Sequence, residues 1–170
     1  TDIAARSETL LAVAAELRRS LDELAMLAVH EMGKPVAEAK AEVEKCAWVC
    51  EYYAQESPRA LADEQVEASG SRSWTSYEPL GTVLAIMPWN FPYWQVFRFA
   101  APALAAGNAA LLKHSPNVTA CALAVQEVFE AAGLPEHLFT TILIAEPDVP
   151  TMVTRIIEDD RVSAVTLTGS

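Results

Sequence analysis

The chain has 170 residues, of which 52% are hydrophobic, so it is long and apolar enough to bury the core of one domain or slightly more. Its formal net charge of −11 argues against a nucleic-acid or anionic-membrane partner, because both need a basic face. The longest apolar region is interrupted by Pro88, Asn90, Pro92, Arg98 and Pro102, so no membrane span is expected. The N-terminus lacks the basic-then-apolar order of a signal peptide, and we expect a cytoplasmic protein.

Residues 1–62 are predicted to form a helical segment. Apolar side chains recur at spacings of three and four over residues 10–28, which predicts one amphipathic helix that ends at Gly33-Lys34-Pro35. A second apolar stripe over residues 36–50 predicts another helix, which Ser57-Pro58 is expected to close.

The rest of the chain is predicted to alternate between strands and helices. Residues 63–80 are predicted to form an acidic linker followed by an extended strand at 72–78. From Gly81 onward, strands are predicted at 83–87, 109–113, 139–144 and 162–167, and helices at about 92–106, 117–132 and 149–158. Such short, unbroken apolar runs are typical of parallel strands that are buried on both faces. The predicted fold class is therefore α/β, with N-terminal helices followed by a parallel sheet.

Polar residues follow three of these strands at their carboxyl ends, where ligands of such sheets bind. Asn90 follows the first strand, Lys113 ends the second, and Gly169-Ser170 follow the last. Asn90 fits either the N-cap of the next helix or an amide donor to a developing oxyanion. Lys113 fits either a solvated strand end or a cation that donates to the hydroxyls of a nucleotide. No G-x-G-x-x-G motif is present, so the glycines alone do not identify a dinucleotide site.

Five ordered motifs resemble the aldehyde dehydrogenase superfamily, and within it the NAD(P)-dependent succinate-semialdehyde dehydrogenase branch. They lie at residues 87–92 (Met-Pro-Trp-Asn-Phe-Pro), 102–108 (Pro-Ala-Leu-Ala-Ala-Gly-Asn), 112–113 (Leu-Lys), 132–135 (Ala-Gly-Leu-Pro) and 168–170 (Thr-Gly-Ser). The resemblance covers essentially the whole chain. It implies a parallel-sheet dinucleotide-binding domain of the aldehyde dehydrogenase type. It also implies a truncated chain, because the family's catalytic cysteine and general-base glutamate lie beyond Ser170.

Three parts of the chain follow from this resemblance. They are the N-terminal helical segment at 1–62, the linker and extended strand of the oligomerisation element at 63–80, and a partial β/α cofactor-binding domain at 81–170. The implied activity is oxidation of a short aldehyde, succinate semialdehyde in that branch, to its carboxylate with NADP or NAD. The full-length protein is expected to be a homo-oligomer. The alternative is a non-catalytic truncated fragment that at most binds nucleotide or a partner chain.

The resemblance also assigns roles to individual residues. Asn90 is expected to stabilise the oxyanion of the thiohemiacetal that forms on the absent cysteine, and Lys113 to donate to the ribose hydroxyls. The expected cofactor contacts are Met87, Pro88, Trp89, Lys113, Ser115, Pro116, Gly169 and Ser170, of which the last two would hold the pyrophosphate at a helix N-terminus. NAD-preferring members tend to carry glutamate where this chain has Pro116, so use of NADP is predicted. Ser115 and, unless it is an exposed loop residue, His114 would donate to the 2′-phosphate.

The three cysteines, Cys46, Cys50 and Cys121, are expected to be buried, reduced thiols. Metal binding is not expected, since Cys46 and Cys50 share a helix face without further ligands nearby. None of the three lies in a motif that matches the family's nucleophile.

Overall fold

Three helices precede a four-stranded parallel sheet in the computed structural model, which describes residues 2–169. The helices are α1 (Ile3–Arg19), α2 (Leu21–Met32) and α3 (Val36–Ala60). The single helix predicted over residues 10–28 is wrong, because the chain leaves helical dihedrals at Ser20 (φ −97°, ψ 13°). The apolar stripe continues across this break, so side-chain spacing does not reveal it. Gly33, in the left-handed region at φ 71°, ends α2 as predicted.

Helix α3 passes through Pro58 and ends at Ala60, beyond the predicted stop at residues 57–58. The amide of Leu61 bonds to the Ser57 carbonyl at 2.9 Å, so the last turn closes although the proline lacks an N–H. Two short antiparallel strands follow, β1 (Glu64–Gln65) and β2 (Trp74–Thr75). The extended strand predicted at 72–78 is thus only two residues long, and it pairs with residues that were expected to form a linker.

Four parallel strands form the sheet in the order β5-β4-β3-β6. They are β3 (Thr82–Met87), β4 (Ala109–His114), β5 (Phe139–Thr141) and β6 (Val162–Leu167), connected by α4 (Trp94–Ala105), α5 (Thr119–Ala131) and α6 (Val149–Ile157). The α/β prediction is confirmed, and each predicted strand is present. β5 ends at Thr141 and is shorter than predicted, and the amide of the next residue, Ile142, still bonds to the Leu112 carbonyl at 2.8 Å. Strands β4 and β5 are added on one side of β3, and β6 is added on the other side. The boundary between β3 and β6 is therefore the topological switch point of the sheet.

The core lies between the N-terminal helices and the helices α4 and α5 of the sheet. Tyr93 is fully buried, and its hydroxyl donates to the carbonyl of Leu24 in α2 at 2.7 Å. The ring of Phe129 in α5 stacks on Phe97 in α4 at 5.2 Å and lies 4.4 Å from Phe139 in β5. By contrast, no residue of α6 is buried. None of the described helices is long and apolar enough to cross a membrane.

Glycine is required where β3 begins, close to the neighbouring strand β6. Gly81 has φ 123°, and a Cβ atom there would lie 2.5 Å from the Ser163 hydroxyl oxygen. The side-chain oxygen of Asn108 accepts hydrogen bonds from the amides of Leu80 at 2.7 Å and Gly81 at 3.2 Å. These contacts fix the start of β3, and the parallel register then fixes where its carboxyl end lies relative to β4 and β6.

Candidate active site

A cleft of about 500 Å³ opens at the carboxyl ends of β3, β4 and β6, at the topological switch point. Its lining residues are Ile86, Met87, Pro88, Trp89, Asn90, Gln95, Lys113, Ser115, Pro116, Leu167, Thr168 and Gly169. Asn90 and every one of the expected cofactor contacts that the structure describes are in this group, whereas His114 is not. Ser170, the remaining predicted contact, lies outside the described residues. The parallel register brings these segments together, since Ile86 is paired with Lys113 on one side and with Leu167 on the other.

The turn between β3 and α4 carries Asn90, and this residue does not cap the helix. Helix α4 begins at Trp94, and its first free amides are bound by a carboxylate from elsewhere in the chain. Oε1 of Glu42 in α3 accepts from the amides of Tyr93 and Trp94, each at 2.9 Å. The N-cap interpretation of Asn90 is therefore wrong. The Asn90 side chain is exposed at the cleft and makes no hydrogen bond within residues 2–169.

A buried ion pair lies under the same turn. The Lys34 ammonium, in the loop between α2 and α3, pairs with the Glu42 carboxylate, and the two residues are only 5% and 4% exposed. Lys34 Nζ also donates to the backbone carbonyl of Asn90 at 3.3 Å and lies 3.9 Å from the centre of the Phe91 ring. The turn is thus bound by two charged side chains from the N-terminal helical segment.

His114 binds the turn from the other side. Its Nδ1 accepts from the amide of Ser115 at 2.8 Å, so the proton is on Nε2, which donates to the Pro92 carbonyl at 2.8 Å. The ring is buried, and this burial lowers the pKa of His114 and keeps it neutral. The expectation of an exposed loop residue is wrong, and neither ring nitrogen is available to a phosphate.

The junction between β4 and α5 forms the opposite wall of the cleft. Lys113 is half-buried at the end of β4, and the exposed Pro116 begins a single 3-10 turn ahead of α5. The Ser115 hydroxyl donates to the Asn117 side chain at 3.0 Å. Lys113, Ser115 and Pro116 also line a neighbouring groove whose far side is residues 142–145. No carboxylate stands at position 116, as the sequence shows.

Helix α5 is capped in the same way as α4, by a carboxylate from an N-terminal helix. The two side-chain oxygens of Glu31, in α2, accept from the amides of Ala120 and Cys121 at 2.8 Å each. No charged partner of Glu31 is found among residues 2–169, and Glu31 does not line the cleft. Both strand-to-helix junctions therefore have a glutamate cap that comes from an N-terminal helix. They differ because Glu42 also pairs with Lys34, whereas Glu31 has no such partner within residues 2–169.

Two polar residues of α4 that lie at this site were missed by the sequence interpretation. Gln95 lines the cleft, and its buried Oε1 has no hydrogen-bond partner within the described chain. Arg98, one turn further, lines an adjoining groove that Gln95 and Thr168 also border, and its guanidinium is 3.4 Å from the Thr168 hydroxyl. The signal was present in the sequence: Gln95 and Arg98 are the only polar side chains of α4, and they are three residues apart on one face.

The three thiols are free and buried, as predicted, and none lines the cleft. Burial raises the pKa of Cys46 and Cys50 well above the ordinary range, and it raises the pKa of Cys121 to about 12. None of the three is a thiolate at neutral pH. Within residues 2–169 no group of three or more His, Cys, Asp or Glu side chains could hold a metal ion.

The chain is similar in sequence to known enzymes along its whole length. Residues 1–170 match the family model described as the aldehyde dehydrogenase family. A probable succinate-semialdehyde dehydrogenase [NADP(+)] of Synechocystis is 52% identical over 167 residues, which cover 98% of this chain and 36% of that protein. The succinate semialdehyde dehydrogenase [NAD(P)+] Sad of Escherichia coli is 45% identical over 170 residues and is likewise covered to 36%.

The fold is also that of a solved enzyme. Succinic semialdehyde dehydrogenase from Streptococcus pyogenes, solved in complex with NADP+, superposes with a TM-score of 0.93 at 34% identity. The match covers 99% of this chain and 36% of that one, so the chain spans about a third of the length of these relatives. The whole-length family match and the superposed fold confirm the resemblance carried by the five motifs. The chain belongs to the aldehyde dehydrogenase family.

Proposed function

We propose that this chain is the N-terminal, cofactor-binding part of an NAD(P)-dependent aldehyde dehydrogenase that oxidises succinate semialdehyde to its carboxylate. The observation that carries the proposal is the cleft at the switch point of the sheet. Three residues at the ends of three different strands border this one cleft. They are the amide donor Asn90, the cation Lys113 and Gly169, which has no side chain. The names of the relatives supply the substrate.

The residues of the cleft fit a dinucleotide. Lys113 supplies a cation and three donors that match ribose hydroxyls. A side chain at Gly169 would begin 3.7 Å from the Pro88 ring and narrow the cleft, so glycine leaves room for a bound group. Pro116 carries no charge that would repel a 2′-phosphate, which favours NADP. When bound, the nicotinamide supplies the hydride acceptor of the oxidation.

Asn90 is the proposed oxyanion donor. Its backbone is held by Lys34 while its side-chain amide is free at the cleft. A neutral amide N–H can stabilise the negative oxygen that develops when a nucleophile adds to an aldehyde carbonyl. The nucleophile must come from outside this chain, because Cys46, Cys50 and Cys121 are buried and protonated. We therefore infer that the 170 residues alone do not oxidise aldehydes.

Arg98 supports a substrate with a carboxylate. Its guanidinium is exposed in the groove that adjoins the cleft, and Gln95 and Thr168 border both. An aldehyde that reaches Asn90 with its carbonyl oxygen could place a carboxylate on Arg98, which binds such a group through paired hydrogen bonds. We expect this arrangement to favour succinate semialdehyde over an uncharged aldehyde of the same length.

The assembly proposed for the full-length protein is a homo-oligomer. The antiparallel pair β1–β2 is exposed throughout, and Trp74 is 54% exposed. A two-stranded pair is marginal in water without further packing. Its exposure supports the assignment of residues 63–80 to an element that associates with another subunit.

Cofactor reduction by the full-length protein tests the proposed activity. With succinate semialdehyde and NADP we expect rapid formation of NADPH, and with butanal a lower kcat/KM. Arg98→Gln should lower kcat/KM for succinate semialdehyde by about tenfold or more, because a hydrogen bond to a charged group is lost, and should leave the value for butanal unchanged. No NADPH with any aldehyde would contradict the activity, and an equal loss for both substrates would contradict the role of Arg98.

The inactivity of the isolated chain is tested with the same assay. We expect no NADPH from the purified 170 residues with succinate semialdehyde. Cofactor reduction that disappears in Asn90→Ala would contradict the proposal, because it would show a complete site. Reduction that persists in Asn90→Ala would indicate a contaminating enzyme.

A further inference from the structure

We propose that the buried Lys34–Glu42 pair positions the Asn90 donor, so that two residues of the N-terminal helical segment control the chemical step. The inference rests on the proposed function, since it concerns the donor of that reaction. It adds two positioning residues that lie outside the cleft and act through the turn that carries Asn90. The pair was not among the site residues expected from the sequence.

Glu42 satisfies three donors at once. Its Oε1 accepts from the amides of Tyr93 and Trp94, and its Oε2 pairs with the Lys34 ammonium. The carboxylate is almost fully removed from water. Burying two charges is costly, and well-packed apolar residues are often as stabilising as a buried pair. Stability alone therefore does not explain this pair, and the geometry that it imposes is the better account.

Lys34 contacts Asn90 and Phe91, the two residues that precede Pro92 in the turn. Nζ donates to the Asn90 carbonyl at 3.3 Å and lies against the Phe91 ring at 3.9 Å. Lys34 thus binds the part of the turn that precedes Pro92. Glu42 binds the amides of Tyr93 and Trp94, which follow Pro92. Only backbone groups and a ring face of the turn are used in these contacts. The amide of the Asn90 side chain stays free for a ligand while its backbone is held.

The chain contains a matched control for this arrangement. Glu31 caps α5 through two amides, as Glu42 caps α4, and it too comes from an N-terminal helix. It has no lysine partner among residues 2–169 and makes no hydrogen bond to residues 88–92. Loss of a cap in general can thus be separated from loss of control over Asn90.

The double variant Lys34→Met/Glu42→Gln removes the ionic contacts and keeps the fold. Both replacements are close in size to the original side chains, and neither leaves a buried charge. The amide oxygen of the introduced glutamine can still accept from the Tyr93 and Trp94 amides, so α4 keeps its cap. The bond from Lys34 to the Asn90 carbonyl is lost. Displacement of a reacting group by about 1 Å can lower the rate by up to about a hundredfold, so a loosened turn has a measurable effect.

Amide hydrogen exchange on the chain tests the positioning without any assay of activity. We expect the peptide that covers residues 88–95 to exchange about tenfold faster in the double variant, through local opening of the turn. Glu31→Gln should accelerate exchange at residues 119–122 and leave 88–95 unchanged. Unchanged exchange at 88–95 in the double variant would overturn the proposal, whatever the protein catalyses.

A double-mutant cycle with Asn90→Ala tests the route through the donor in the full-length protein. The double variant should lower kcat by about tenfold when Asn90 is present and by less than about twofold in the Asn90→Ala background, because coupled residues are not additive. The Kd for NADP should rise by less than kcat falls, because only Pro88 and Trp89 of the expected cofactor contacts lie in the loosened turn, and Glu31→Gln should leave kcat within about twofold. Equal losses in both backgrounds would overturn the proposal. An unsubstituted protein without activity would contradict the proposed function and leave the exchange result standing.

Discussion

The two strand-to-helix junctions that border the cleft use the same cap but differ in how firmly they are held. At the β3–α4 junction the capping Glu42 is buried and carries a lysine that binds the turn. At the β4–α5 junction the capping Glu31 has no such partner within residues 2–169, and Ser115 and Pro116 lie at the surface or half-buried. The firmly held turn carries the proposed oxyanion donor, whose position must be accurate. The open turn carries Ser115 and Pro116, which are proposed to select the cofactor.

The first prediction compares the two caps by their effect on stability. Glu42→Ala should lower the free energy of unfolding by about 3–5 kcal/mol, because the Lys34 ammonium is left buried without a counter-charge. Glu31→Ala should lower it by about 1–2 kcal/mol, the usual effect of a lost cap. Urea unfolding followed by circular dichroism measures both. Glu127→Ala, at an exposed site of α5, is the control and should change stability by less than about 0.5 kcal/mol. Equal losses at Glu42 and Glu31 would remove the distinction between the junctions.

The second prediction compares the asparagines of the two junctions in the full-length protein. Asn90→Ala should lower kcat by about a hundredfold to a thousandfold, or about 3 kcal/mol in the barrier, because one oxyanion donor is removed. Asn117→Ala, in the open junction, should leave kcat within about twofold. Steady-state rates with succinate semialdehyde and NADP decide this. Similar losses in the two variants would show that the two turns are equally close to the chemistry.

The third prediction concerns Pro116 and the choice of cofactor. Pro116→Glu should raise the Kd for NADP by about tenfold, since a carboxylate would repel the 2′-phosphate, and should change the Kd for NAD little. The effect should shrink at high ionic strength, because salt screens exposed charges. Pro116→Gln is the matched control, because glutamine has the shape of glutamate without its charge. Fluorescence titration with both cofactors measures the four constants, and equal weakening by Glu and Gln would exclude repulsion as the cause.

The fourth prediction concerns His114, which links the two junctions through Pro92. Its pKa in the folded chain is below the ordinary value of 6.5, so below this pH the unfolded chain binds a proton that the folded chain does not. Its contribution to stability is therefore complete above pH 6.5 and is lost as the pH falls toward the folded-state pKa. Between about pH 7.5 and about pH 5.5 we expect a loss of stability of at most about 1.4 kcal/mol, the limit for one proton bound only by the unfolded chain.

Unfolding in urea at the two pH values measures this loss. His114→Gln is the comparison, because its amide nitrogen can donate to the Pro92 carbonyl and does not titrate. The difference between the two pH values should be smaller in this variant. The same pH dependence in both proteins would show that His114 is not its source.

The strands and the cleft could be predicted from the sequence, because both depend on local patterns. The apolar runs in β3, β4 and β6 predict buried parallel strands, and the carboxyl ends of such strands meet at one edge. That Asn90, Lys113 and Gly169 border one cleft follows from these two rules. Their chemical roles stay predictions until the variants are measured.

The contacts that hold the site could not be predicted in the same way. The Glu42 carboxylate and the Tyr93 amide are 51 residues apart in the chain, and no pattern of one helix indicates a cap on another. Nothing in the spacing distinguishes a histidine that faces solvent from one that bonds to Pro92. The break at Ser20 escaped detection because the apolar stripe is the same on both sides of it. The cap by Glu42 and the burial of His114 are tertiary contacts, which single-chain periodicity does not contain.

The three thiols of the chain make it a reporter of its own unfolding. Cys46 and Cys50 lie in α3, and Cys121 lies at the start of α5, where its amide donates to Glu31 of α2. All three are buried, so an alkylating reagent can reach a sulfur only after the surrounding structure has opened. Peptide mapping of the alkylated chain would show the order in which the sites become reactive. Without any added label, the reactivity of the three thiols thus shows whether the surroundings of α3 or the contact between α2 and α5 opens first.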